Sequence, residues 1–262
     1  MRETNATVLL ERKTQGLRKE TGNPKLISRA DLNQTPREML LRSIIRPAKM
    51  LIFSPVVLFL SLYAALVFGT LFLLFATIPV VFGEQYGFNP GVAGLTYLGL
   101  GLGMLVGLVL FYLLSDKLLG QKKGGTAARP ELRLILMKWF APITPIGCFI
   151  YGWSAYYQIH WIVPILGTFV IGFGTFFIIM PVQIYLVDAF GSQAAASAIA
   201  ANLVVRNVFG TFLPLAAPPL YGRLGLGWGN SLLGFVCLGF TPVPWLFYRY
   251  GEYMRTRFAV QL

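Results

Sequence analysis

The chain has 262 residues, of which 56% are hydrophobic and only 12% charged, and its formal net charge is +12. A soluble domain carries about 25% charged residues, so this chain has too few to cover a water-facing surface. The basic residues sit between long apolar blocks, which excludes a nucleic-acid groove and fits cationic loops beside a bilayer.

Residues 1–49 are polar and hold 11 Lys and Arg. They contain no short apolar run of the signal-peptide kind, and they read as a basic segment on the cytoplasmic side. Residues 50–250 read as a transmembrane domain, and residues 251–262 as a cytoplasmic tail.

Taken in chain order, the charge-free stretches predict six membrane helices, each about 20 residues or more. The first is expected over 51–80, with Pro55 near its start and Pro79 near its end. The second is expected over 92–114, entered through Pro90-Gly91. A charge-free block from Trp139 to Val187 is too long for one helix and suits two. Its most polar point, Gln158-Ile159-His160, divides it into spans over 139–157 and 161–186. The fifth span is expected over 195–220, with Arg206 inside it and Pro214, Pro218 and Pro219 closing it. The sixth is expected over 228–248. No segment alternates as barrel strands do, so the fold class is an all-α membrane protein, a bundle of six transmembrane helices.

The connectors set an orientation. Lys and Arg number 11 before the first span, six over 116–138, none over 188–194 and three after the sixth span. Only Arg223 falls on the opposite side. By the positive-inside rule both termini are expected in the cytoplasm. Tyr151, Trp153, Tyr156, Tyr157 and Trp161 suit an outer aromatic belt. Trp139, Trp245, Tyr248 and Tyr250 suit an inner one. Cys148 and Cys237 lie in apolar stretches and are expected as free thiols.

Several motifs carry candidate roles. Gly99, Gly103 and Gly107 are spaced by four, which lets a second helix approach closely; they are assigned to helix packing. Asp116 and Lys117, followed by Lys122 and Lys123, form an acidic residue beside a basic run at the inner end of the second span, a candidate gating loop. Arg206 lies near mid-membrane, where a charge costs about 2.5–3.5 kcal/mol on insertion scales. It requires a partner or a watery cavity. Asn202, Asn207, Gln183 and Asp188 are the candidate partners, and all but Asp188 join Arg206 as candidate substrate-pathway residues. Tyr63, Phe68, Phe72 and Phe75 on the first span offer an aromatic lining of the kind that suits greasy or cationic molecules. Neither a catalytic constellation nor a metal or cofactor motif is visible, so no enzymatic role is expected.

Longer runs resemble one family. Val8-Leu9-Leu10-Glu11-Arg12-Lys13 with Leu17-Arg18-Lys19-Glu20-Thr21-Gly22-Asn23 is similar to the central cytoplasmic loop of fungal major facilitator transporters of the drug/proton antiporter type. Arg46-Pro47-Ala48-Lys49-Met50-Leu51-Ile52-Phe53-Ser54-Pro55 resembles the entry to their seventh span. Gly222-Arg223-Leu224-Gly225-Leu226-Gly227-Trp228 resembles their last outer loop, and Tyr248-Arg249-Tyr250-Gly251-Glu252 their exit from the twelfth span. Tyr112 and Leu119 stand where the gating-loop motif would have glycine.

The resemblance implies the C-terminal six-span half of a major facilitator fold. It implies proton-coupled efflux of small amphipathic molecules, drugs or secondary metabolites, from a multi-pass protein of the plasma membrane. The expected partners are the lipid bilayer, a small-molecule substrate, and a missing N-terminal half or a second copy. No nucleic acid and no cofactor are expected. The alternative is a truncated half that does not transport, or a membrane interaction protein.

Overall fold

The computed structural model describes residues 6–23, 26, 36–120 and 130–257. The chain divides into two units, Met1–Arg46 and Pro47–Leu262. In the first, helix α1 (Ala6–Thr21) ends at Gly22, whose backbone sits at φ 66° and whose N–H donates to the Arg18 carbonyl. Arg18 in turn donates to the Leu26 carbonyl at 2.7 Å. Helix α2 runs Pro36–Phe53.

The second unit is a helical bundle, and no strand occurs among the described residues. Ser54 takes an extended backbone before Pro55, the conformation favoured by a residue preceding proline, and Pro55 then opens α3 (Pro55–Tyr86). Gly87 closes α3 in the left-handed conformation. The Asn89 side chain caps α4 (Pro90–Leu95) by accepting from Val92 N at 2.9 Å. Next come α5 (Tyr97–Gly120), a 3-10 turn (Pro130–Arg133), α6 (Leu134–Phe140) and α7 (Ile143–Tyr156). Helix α8 (Ile162–Leu215) is broken at Gly191 and α9 (Ala217–Phe240) at Gly225. Helix α10 (Pro242–Arg257) completes the bundle. Gly191 (φ 62°, ψ −178°) and Gly225 (φ 71°, ψ 173°) occupy a region open in practice only to glycine, which is how the chain reverses in one residue.

Six helical stretches are long and apolar enough to cross a membrane: Pro55–Tyr86, Pro90–Ser115, Pro130–Tyr156, Ile162–Gly191, Ala194–Leu215 and Ala217–Arg257. They are called the first to sixth spans below. Their number agrees with the sequence, but their bounds differ. The third begins nine residues before the expected Trp139, and the first and sixth also run past their expected ends. Charge-free length marks the hydrocarbon, whereas a helix continues for as long as its polar groups are satisfied. The fifth stops early, at Ala216, because Pro218 and Pro219 have no N–H for the Pro214 and Leu215 carbonyls.

The first span is the most enclosed of the six, while the second and fifth are the least. Val57, Leu60, Ala64 and Val67 from the first span meet Ile178, Val182 and Leu186 from the fourth and Ala198 and Ala201 from the fifth in the largest apolar cluster. Pro79 removes the N–H that would have bonded the Phe75 carbonyl. The Tyr97 hydroxyl, from the second span, donates to that carbonyl at 2.5 Å. The carbonyl that a proline frees within a membrane helix is thereby satisfied by a neighbour.

Candidate functional site

The first and fifth spans touch along small residues. A Cβ on Gly69 would lie 3.0 Å from the Phe209 carbonyl oxygen, so the two backbones meet there. On one edge of this seam the Phe68 ring lies over Gly210, whose missing Cβ would fall 3.0 Å from the ring. The Arg206 guanidinium stacks on the same ring, its carbon 4.3 Å from the centroid. The aromatic row continues from Phe68 to Phe72 at 4.7 Å, to Phe75 at 5.9 Å and to Tyr97 at 5.8 Å. Phe72 and Phe75 are both 41% exposed, so the row forms an open face.

Arg206 does not pair as the sequence suggested. It is half-buried, and its Nε and Nη1 have no hydrogen-bond partner. Asn202, one turn earlier, is buried and donates instead to Ser61 Oγ of the first span at 3.2 Å. Asp188 is engaged at 2.9 Å by Arg133. Gln183 is half-buried on the fourth span, and Asn207 is exposed beside Arg206. Tyr63 departs from the aromatic row as well. Five residues at about 100° each turn it roughly 140° from Phe68, and it is fully buried, stacked on Phe240 at 5.8 Å. Ser61 and Gly210 were not singled out from sequence. A hydroxyl within the charge-free first span was the available signal for Ser61, and Thr70 and Thr77 carry the same signal.

The glycine stripe faces the fourth span. Added Cβ atoms on Gly99 and Gly107 would lie 2.6 Å from Ile165 Cγ2 and 3.0 Å from Phe176 Cβ, and one on Gly103 would overlap the Phe169 carbonyl. At the C-terminal end of the second span Lys117 is exposed. The side chain of Asp116, and all of Lys122 and Lys123, lie outside the described residues.

Two further features complete the picture. At the end of the bundle where the third span starts, buried Glu131 lies 3.6 Å from Arg255, and Arg255 also donates to the Ala189 carbonyl at 3.2 Å. With the Arg133–Asp188 pair, this ties together the start of the third span and the ends of the fourth and sixth. These pairs explain how charged residues continue the third helix past its apolar part. Lys138 does so differently, lying 5.5 to 5.8 Å from the ring centres of Trp139, Trp245 and Tyr248. At the opposite end of the bundle a cavity of about 610 Å³ opens between the first and sixth spans, lined by Thr77, Val80, Glu84, Pro214, Pro218 and Tyr221 among others. It lies where the prolines interrupt the fifth helix. Among the described residues, no three His, Cys, Asp or Glu side chains converge as a metal site would need.

Comparison with known proteins fits this architecture. A family model described as Major Facilitator Superfamily matches residues 7–214. The MFS transporter eqxG of Fusarium heterosporum is 67% identical over 262 residues, covering 100% of this chain and 54% of that protein. The MFS-type transporter MFS19 of Alternaria alternata is 64% identical, with 100% of this chain and 54% of that protein covered. The Trichosetin biosynthesis cluster MFS transporter of Gibberella fujikuroi is 54% identical, over 100% of this chain and 49% of that protein. The chain thus spans about half the length of the curated relatives it matches, and no solved structure matches it. With the family model covering most of the chain and the helices forming a six-span membrane bundle, the chain belongs to the Major Facilitator Superfamily.

Proposed function

We propose that these six spans serve as one half of a secondary active efflux transporter for small amphipathic molecules, drugs or secondary metabolites, coupled to protons in the twelve-span protein. A second six-span half, either a preceding segment or another copy, supplies the facing wall of the pathway. On this side the wall is the seam of the first and fifth spans. Basic connectors hold both termini in the cytoplasm, and the plasma membrane is the expected location.

The observation that carries the reading is the placement of Arg206 and the aromatic row. A charge in the middle of a membrane helix is costly, and its usual reason for being there is function. Here it stands on an open aromatic face. The name of the Gibberella fujikuroi relative, which refers to a biosynthesis cluster, supports a secondary metabolite as the class of cargo. The glycine contact between the second and fourth spans would let packed helices slide as the pathway opens alternately to each side.

The test is flux through proteoliposomes under an imposed pH gradient. The chain is co-reconstituted with the preceding half of eqxG, and a panel of labelled amphipathic compounds is offered. Gradient-dependent accumulation of at least one compound, abolished by a protonophore, is expected. Folded, correctly inserted protein with no gradient-dependent flux across the panel contradicts the proposal.

A further inference from the structure

The geometry points to a cargo that carries a negative charge: the Arg206–Phe68 edge of the seam is a binding site for an amphipathic anion, with a delocalised or single-charged head and a large apolar body. This rests on reading the seam as part of the solute pathway, and it narrows that reading to one charge class.

An aromatic row by itself favours cations, because ring faces are electron-rich. Here the end ring is already taken. The guanidinium of Arg206 covers Phe68 at 4.3 Å, so the site presents a positive charge instead of a bare ring. Among the described residues, no carboxylate offsets that charge. The acidic residues of the bundle are Glu84, Asp116, Glu131, Asp188 and Glu252, and all lie at helix ends. Glu84 is about 24 Å beyond Phe68 along the same helix, at 1.5 Å per residue. Asp188 and Glu131 are held by Arg133 and Arg255.

The nearby amides do not satisfy the guanidinium either. Asn202 donates to Ser61, and Arg206 Nε and Nη1 remain without acceptors. Unpaired charged donors away from water are among the most expensive groups a protein can hold. An anion supplies the acceptors that this chain withholds. The exposed faces of Phe72 and Phe75 continue from that point and offer an apolar surface for the body of the same molecule. A cationic cargo of equal size would meet the same rings but also the uncompensated guanidinium.

The experiment uses a pair of aromatic probes close in size but opposite in charge, anthracene-9-carboxylate and anthracen-9-ylmethylammonium, of which only the first brings acceptor oxygens. Binding to the 262-residue chain in zwitterionic lipid nanodiscs is measured by calorimetry, with empty nanodiscs subtracted. Saturable binding of the carboxylate is expected, weakened about tenfold or more in Arg206→Gln, as loss of a charged partner implies. Arg206→Lys should retain part of the affinity, and Arg206→Glu should shift preference toward the ammonium. Arg206→Gln removes a membrane charge, so it should insert at least as well as the parent and the comparison holds. The inference falls if carboxylate binding is unchanged in Arg206→Gln, or if the ammonium binds the parent equally well. It also falls if pairing with the first half of eqxG makes anion binding insensitive to Arg206→Gln, since a carboxylate from that half would then be the partner. Binding selectivity with no flux would sink the transport reading and leave this one standing; flux of cations alone would do the reverse.

Discussion

Asn202 and Ser61 illustrate how polar residues are placed inside this bundle. Both are buried, one on the fifth span and one on the first, and their hydrogen bond crosses the seam at 3.2 Å, one turn below Arg206. It fixes the rotation of the fifth helix, and therefore the side on which Arg206 emerges. Replacing Ser61→Ala strands the Asn202 amide, and a loss of about 0.5–2 kcal/mol is expected, the range for hydrogen bonds between membrane helices. Unfolding in mixed micelles measures it; no change would mean that the pair does not hold the seam. At this scale the sequence was informative about type and poor about partner. That Arg206 needed company followed from its depth, but its company turned out to be a ring, Phe68. Tyr63 was grouped with that ring by residue type, yet helical rotation sends it into the core. Spacing along a chain fixes which side of a helix a residue takes, but not which neighbour arrives there.

Individual helices were legible where one physical constraint dominates. The Gly99, Gly103 and Gly107 stripe is readable because glycine every fourth residue has few uses other than close approach, and the fourth span does lie against it. Gly103→Ala would drive a methyl group into the Phe169 carbonyl, at a cost of about 1–3 kcal/mol as for overpacked cores. Gly101→Ala, beside open space, should cost far less. Thermal stability of the two variants in detergent compares them, and equal loss would mean that the stripe is not a contact. The helix ends beside the basic connectors were less legible. Glu131, Arg133 and Lys138 read as loop residues by charge, although their pairings carry the third helix through them. Arg255→Leu leaves Glu131 buried without its cation and should cost about 2–3 kcal/mol, somewhat below fully buried pairs because Arg255 is partly exposed. The double variant with Glu131→Gln should recover most of that loss, and a fully additive pair would contradict the coupling.

For the molecule as a whole, the number of crossings follows from apolar length, and the expected direction from where Lys and Arg collect. Those two facts are independent, which is why the six-span count was readable before any helix was placed. What could not be read was the seam, since contact between the first and fifth spans depends on Gly69 and Gly210 lying opposite Phe209 and Phe68. The proposed pathway and the proposed charge class of its cargo both presuppose this threading. Its most direct test is cysteine accessibility in intact cells, on a background lacking Cys148 and Cys237. Asn89→Cys and His160→Cys are predicted to react with a membrane-impermeant maleimide from outside. Lys117→Cys and Arg257→Cys should react only after the membrane is permeabilised. Labelling of all four from the same side would contradict the six-span arrangement.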